Sequence, residues 1–293
     1  MKKSFYFLMV IAAALAMQSC KKDAGSLNAA SPASSTDGSA TPGTNSPRGG
    51  GGSGGDSNTP FPFGILGMNG GTFTINSSTN LIADVGYSSG VNSTINQKIN
   101  NFTGTAYVHS NVASFTYTAA TYQPTGGIIQ NNAAADQMLD DANSNAIVYS
   151  ANYAGLPADY SYGAVTTNLS LNATSHNTVV HMSSLNYNSN MLTLTGTAGN
   201  DDGFIINVDG SFDFSQSVIK LVNIRPERVI FNFPNASNIT VNKAANMWNG
   251  TILAPTGNVI YHNPASFNGS IIAKNIAVHS DFNLTQRSYN NGN

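Results

Sequence analysis

Side chains able to do acid–base, nucleophilic or metal chemistry are few in this chain and widely spaced. There are five histidines (His109, His176, His181, His262 and His279) and a single glutamate, Glu227. His176 and His181 stand five apart in a stretch that reads as strand, so their rings point to opposite sides. No third ligand is near them, as a zinc site requires. The turn Asn200-Asp201-Asp202-Gly203 is rich in oxygen, which suits a hard cation such as calcium. It lacks the full ligand spacing of a calcium loop, and a solvated turn is the simpler reading of Asp201 and Asp202. Arg225, Glu227 and Arg228 form the densest charge cluster, and they read as an ion pair at the entry to a strand. A pair of carboxylates for glycoside hydrolysis would have to come from the aspartates, Asp209 and Asp213 being the candidates. No Ser-His-Asp arrangement, phosphate loop or dinucleotide fingerprint is visible. The sequence therefore predicts no catalytic set, no metal and no cofactor.

Composition explains why the chemistry is so thin. Over 293 residues only 9% are charged, against roughly a quarter in an ordinary globular chain, and the net charge is −2. Phosphate neutralisation needs clustered Lys and Arg, so a nucleic-acid partner is excluded. Polarity comes from Asn, Ser and Thr, with Asn near one residue in seven. These side chains hydrogen-bond locally and favour turns. With 28 glycines and frequent Val, Ile, Phe and Tyr, the balance points to an all-β, turn-rich fold.

The N-terminal residues carry an address. Lys2 and Lys3 precede an apolar run from Phe5 to Met17 that is too short for a permanent membrane span. The run ends in Ala16-Met17-Gln18-Ser19-Cys20, which resembles a bacterial lipobox with Met17 where Leu is commonest. The resemblance implies that residues 1–20 are a lipoprotein signal and that Cys20 is lipidated. Cys20 is the only cysteine, so no disulfide forms within the chain. Acyl chains at about 0.8 kcal/mol per buried CH₂ hold such a protein in its membrane. Lys21-Lys22-Asp23 looks like the export tag of Bacteroidetes lipoproteins, which implies display on the outer face of the outer membrane. Residues 21–59 are rich in Ser, Gly and Pro and cannot bury enough surface to order themselves. They read as a disordered tether with a reach of roughly 30 Å.

From residue 60 to 293 the pattern is one of short strands. Thr72-Phe73-Thr74-Ile75, Ala106-Tyr107-Val108, Phe115-Thr116-Tyr117-Thr118 and Leu192-Thr193-Leu194-Thr195 alternate at period two. More apolar runs follow at 204–208, 219–222, 229–233, 251–254 and 270–273. One segment differs. From Asn132 to Tyr153, the residues Ala135, Met138, Leu139, Ala142, Ala146, Tyr149 and Tyr153 recur at three- and four-residue steps. Asn132 is placed to cap a helix, and Gly155 and Pro157 to stop it. Asp136, Asp140 and Asp141 fall on its polar side. The C-terminal runs recur about every twenty residues, the length of one coil of a solenoid. Coils about 4.8 Å apart would stack their apolar residues, and Asn at the turns would form side-chain ladders. Gly250 and Gly269 sit where such a coil turns tightly, and Pro234 and Pro255 at strand ends. A β-sandwich is the rival, but it leaves the twenty-residue step and the lone helix unexplained.

Three ordered motifs carry a family likeness: 225–236 (Arg-Pro-Glu-Arg-Val-Ile-Phe-Asn-Phe-Pro-Asn-Ala), 248–259 (Trp-Asn-Gly-Thr-Ile-Leu-Ala-Pro-Thr-Gly-Asn-Val) and 268–273 (Asn-Gly-Ser-Ile-Ile-Ala). They resemble the choice-of-anchor A domain of bacterial surface proteins. Upstream, Ala83-Asp84-Val85-Gly86-Tyr87-Ser88-Ser89-Gly90 and the helix resemble the bacterial ice-binding β-solenoids. Together these likenesses imply an all-β fold with one helix, namely a right-handed parallel β-helix with a single α-helix packed alongside. They also imply an adhesive role without a catalytic set.

The first functional reading is a surface lipoprotein adhesin that holds a matrix protein, polysaccharide or other cell through a flat neutral face. Tyrosines are the usual anchors of such contacts, and Tyr107, Tyr117, Tyr122, Tyr160 and Tyr162 are candidates by type. The alternative is ice binding, with the Thr-x-Thr pairs Thr72/Thr74, Thr116/Thr118 and Thr193/Thr195 as the candidate face. A carbohydrate-active enzyme on the same scaffold is the third reading. The sequence names neither the ligand nor the oligomeric state.

Overall fold

The computed structural model describes residues 61–75, 79–93, 99–112, 115, 123–235, 238–242, 247–262, 265–279 and 282–290. Cys20, the tether 21–59, Thr116, Tyr117, Thr118 and Tyr122 lie outside the described residues. The remainder is a parallel β-helix with one α-helix alongside, as the sequence implies. Every strand pairing in it is parallel, with neighbours one coil apart in space. The facing sheets of a sandwich are not formed.

Each coil has three sides. The first wall holds 65–67, 85–87, 106–108, 128–130, 160–162, 177–182, 203–208, 229–232, 251–254 and 271–273. The second holds 72–75, 92–93, 164–165, 185–188, 212–215, 238–242, 258–262 and 275–279. The third holds 79–82, 99–103, 169–172, 191–195, 218–222, 247–249, 265–269 and 282–286. Inward side chains from all three fill one apolar column. Trp248 lies fully buried among Phe212, Phe214, Phe231 and Phe267.

The coils do not stack in chain order. The first coil, Ile65–Gly67, pairs with Val85–Tyr87 on one side and with Ile271–Ala273 near the end of the chain on the other. The described residues thus begin in the middle of the column and wind outward through 85–87 and 106–108 to Ile128–Gln130. The helix Ala133–Ala154 carries it back past the first wall. Winding resumes at Tyr160–Val165 and proceeds until the last coil meets the first. The helix has the right length for this return. Its 22 residues span about 33 Å, and the six coil steps between Val108 and Asn207 span about 29 Å. A step near twenty is kept by the later coils (Ile230 to Thr251, Ile252 to Ile271) and lengthens to 26 between Val179 and Ile205.

The helix begins as expected. The Asn132 side chain accepts from the N–H groups of Ala134 (3.0 Å) and Ala135 (3.1 Å). Leu139, Ala142 and Ala146 pack on Leu66, Ile205, Ile230, Leu253 and Ile272, the outward residues of the first wall. A second, smaller core is formed there. Polar groups lock the same face. Buried Asn232 accepts from Ser150 Oγ (2.6 Å) and donates to the carbonyl of Ser150 (2.9 Å) and to Asn207 Oδ1 (2.7 Å). Asn207 in turn donates to the Tyr153 carbonyl in the last turn of the helix (2.8 Å). Two of the three helix aspartates are also used for docking. Asp136 accepts from the N–H (2.9 Å) and hydroxyl (2.5 Å) of Ser110, and Asp140 lies 3.6 Å from His109 Nε2.

Gly250 and Gly269 turn the chain from the third wall into the first at φ +116° and +156°. A Cβ on Gly269 would stand 2.0 Å from the Gly250 carbonyl oxygen of the next coil, so the corner closes only with glycine.

Candidate functional site

With the first wall covered by the helix, the second and third walls are the open surfaces. They differ in continuity. The second is paired in register without interruption from Asn92–Ser93 to Ala164–Val165. The third is built from two sheets, with no ladder between 218–222 and 247–249.

Outward side chains on the second wall fall into rows, because each coil repeats the in/out alternation of the last. One row runs Asn92, Thr72, Asn275, Asn258, Asn238. Its amides form a ladder: Asn275 donates to Asn258 (2.5 Å) and Asn258 to Asn238 (3.0 Å), while the Thr72 hydroxyl and N–H both donate to Asn275 Oδ1 (3.0 and 2.9 Å). The next row runs Thr74, Ala277, Ile260, Thr240, Asp213, Asn186. A shallow groove lined by Thr72, Thr74, Asn258, Ile260, Asn275 and Ala277 separates the two rows. The ladders expected at turns therefore lie on the walls. The third wall has its own, in which Asn101 donates to Asn80 (2.8 Å) and Asn80 to Asn283 (2.5 Å).

His279, His262 and Asn242 are in register along the rim of the second wall, and the two imidazoles stack with centroids 4.8 Å apart and planes 13° from parallel. Burial, and then the charge of His262, lower the His279 pKa, so this ring keeps its neutral form to lower pH than an ordinary imidazole. A base whose folded pKa lies below its unfolded value takes up protons first in the unfolded chain. Stability contributed at this pair should therefore be intact above the ordinary imidazole range and decline as pH falls through it. Imidazole NMR titration should show His279 protonating at lower pH than an unfolded-chain histidine, and replacement of His262 by Asn should raise its midpoint. A His279 midpoint unmoved by His262→Asn would remove the coupling.

The predicted residues are dispersed. Thr72 and Thr74 are on the second wall and Thr193 and Thr195 on the third, so these two pairs do not share a face. Thr116 and Thr118 lie outside the described residues. Both carboxylates of the oxygen-rich turn already have partners. Asp201 pairs with Arg225 (2.6 Å) and lies 3.5 Å from Arg228, and Asp202 accepts from the Thr197 N–H (2.7 Å). Burial pushes the Asp201 carboxyl up, but its hydrogen bond from Arg225 and the two guanidinium charges outweigh that and hold it below the usual range. Among the described residues no three His, Cys, Asp or Glu converge on a metal-sized site. Asp213 stands exposed in the second wall and Asp209 precedes it at the corner.

Sequence reasoning missed Arg228. The expected entry-turn ion pair exists at Arg225, which bridges Asp201 and Glu227 (3.3 Å). Arg228 instead is fully buried and donates to the carbonyls of Asp201 (3.1 Å), His176 (3.0 Å) and Asn290, and to Asn177 Oδ1 (2.9 Å).

A family model described as "Putative Ice-binding-like adhesive domain" matches residues 24–284. The match bears out the ice-binding-like likeness and does not confirm the choice-of-anchor A name suggested by residues 225–273. No curated protein matches the chain. Solved structures do. An ice-binding protein from the Antarctic ascomycete Antarctomyces psychrotrophicus is 14% identical, with 78% of this chain and 97% of that one covered and a TM-score of 0.53. A glycosylated ice-binding protein from an Arctic yeast is 16% identical, with 78% and 95% covered and a TM-score of 0.52. An ice-binding protein from an Antarctic biological consortium is 17% identical, with 77% and 87% covered and a TM-score of 0.52. At these identities the likeness is one of fold.

Proposed function

This chain belongs to the ice-binding-like adhesive domain family, and from that premise we propose that it binds ice through its second wall while held to a cell surface by its N-terminal segment. The observation that carries the reading is the unbroken, in-register and nearly uncharged array of that wall. Its side chains repeat at about 4.8 Å from coil to coil and about 6.7 Å along each strand. Strongly hydrated charges, which orient water around themselves, are absent from the wall apart from Asp213. Thr and Asn groups held at fixed spacings, with the methyl of Ala277 and the side chain of Ile260 between them, can instead settle water into an ordered layer that a growing crystal continues.

Lipidated Cys20 would supply the membrane partner, and the tether would lift the wall clear of an outer-membrane surface. Binding ice would then be adhesion to ice. The amide ladder of Thr72, Asn275, Asn258 and Asn238 supports a second reading, in which a neutral polysaccharide lies in the groove beside it. No paired carboxylates accompany that groove among its lining residues, so this reading is one of binding and not of hydrolysis.

The deciding experiment measures thermal hysteresis and ice-recrystallisation inhibition with the full chain carrying Cys20→Ser, beside a neutral-glycan array. Ice activity at micromolar protein supports the first reading. Glycan capture with no effect on ice replaces it with the second, and inactivity in both assays removes the wall as a binding site. Surface display is a separate matter, tested by protease shaving of intact cells expressing the wild type and Cys20→Ala.

A further inference from the structure

The two ends of the column are finished differently. At one end the last strand, Ile128–Gln130, is three residues long, follows Pro124 and Gly126–Gly127, and leads at once into the helix. At the other end the first coil after the helix offers Tyr160–Val165, six residues, and Leu169–Asn172, four. Among the described residues each has a partner on one side only, Asn177–Asn188 and Met191–Thr195 respectively. Alternate residues of such a strand turn their N–H and C=O groups toward the open edge.

Proteins usually protect an exposed edge with Lys, Pro, a bulge or a covering segment. From Tyr160 to Ala173 the sequence has no charged residue and no proline. The column is instead closed by aromatic rings. Tyr160 and Tyr162 occupy inward positions over Val180 and Met182, lie half-buried against the core, and stack at 6.4 Å and 19°. The Tyr160 hydroxyl donates across the coil to the Asn172 carbonyl (3.0 Å).

We propose that this end is a homotypic contact, in which the strand Tyr160–Val165 pairs antiparallel with the same strand of a second copy about a two-fold axis. The occupant follows from charge and symmetry. A neutral edge attracts neither an acidic nor a basic partner, but it meets no repulsion from itself, and one strand against its own copy satisfies both rows of backbone groups. Sides of four to six residues give a coil end of a few hundred Å². A stable interface buries about 800 Å² per partner, so the contact should be weak in dilute solution and matter where copies are crowded together.

Gly163 lies near the middle of the strand, and a side chain there meets nothing within 4 Å. In the full chain with Cys20→Ser, Gly163→Cys should form disulfide dimers under mild oxidation at tens of micromolar protein. Thr193→Cys on the third wall should stay largely monomeric. Adding Ala164→Lys and Thr167→Lys to Gly163→Cys should reduce the dimer roughly tenfold, since like charges would then face each other. The proposal fails if Gly163→Cys dimerises no faster than Thr193→Cys, or if the lysines leave its dimerisation unchanged. Circular dichroism melting of each variant separates either result from misfolding.

Discussion

Replacing Arg228 with methionine is expected to lower the melting temperature by roughly 10 °C. Its guanidinium has no exposure and ties its own coil to groups from two others and to the C-terminal segment. Asn177 and the carbonyl of His176 come from one coil and Asp201 from the next, while Arg228 itself sits in the short 3₁₀ turn Pro226–Arg228 that opens the third. Methionine fills much of the volume but donates nothing. It would remove one donor from three carbonyls and an amide oxygen at once, and one of the two guanidinium neighbours of Asp201. Losing several charge-assisted hydrogen bonds from a fully buried guanidinium costs about 3–5 kcal/mol. Lysine should recover little, because one ammonium cannot reproduce the planar fork. Gly203 belongs to the same device, since a Cβ there would lie 2.6 Å from the Arg228 carbonyl oxygen. Thermal and urea unfolding measure the effect. A loss below about 2 °C for Arg228→Met would mean that the buried network is not holding the coils together.

Why this residue was misread shows where the sequence runs out. Period-two alternation, the cap at Asn132 and the glycine corners are local signals, and the strands, the helix and Gly250 and Gly269 follow from them. Coil order is not local. Nothing in Ile65–Gly67 announces that its neighbour is Ile271–Ala273, about two hundred residues later. The same blindness hid which asparagines face water. Asn232 and Asn258 look alike in sequence, yet one is buried beneath the helix and the other stands in an open wall. Arg225 and Arg228 differ by one turn of chain, and only the packing of neighbouring coils tells the exposed pair from the buried clasp. Thr72/Thr74 and Thr193/Thr195 were legible as strands with one wet side. Their distribution over two walls depends on where in its coil each strand falls, which a twenty-residue step alone does not fix.

Ala277→Arg is expected to abolish ice activity while leaving the fold intact. Ala277 lies between Thr74 and Ile260 in the middle row of the second wall, with the amide ladder on one side and the stacked histidines on the other. An arginine there projects a long, hydrated cation from an otherwise neutral plane. Bringing that plane against a solid surface would require the cation to shed water without a partner, at a cost of several kcal/mol, and every 1.4 kcal/mol is tenfold in affinity. Thermal hysteresis should therefore fall by more than roughly tenfold, and Ile260→Arg should behave alike. The melting temperature should hold within about 2 °C, because neither side chain belongs to the central column or the helix-facing core. Thr193→Arg supplies the contrast: the same charge on the interrupted third wall, beside Lys220, should leave activity near the wild-type value. Loss of activity in Thr193→Arg with retention in Ala277→Arg would move the binding surface to the third wall. Equal retention in all three variants would mean that neither open wall meets ice.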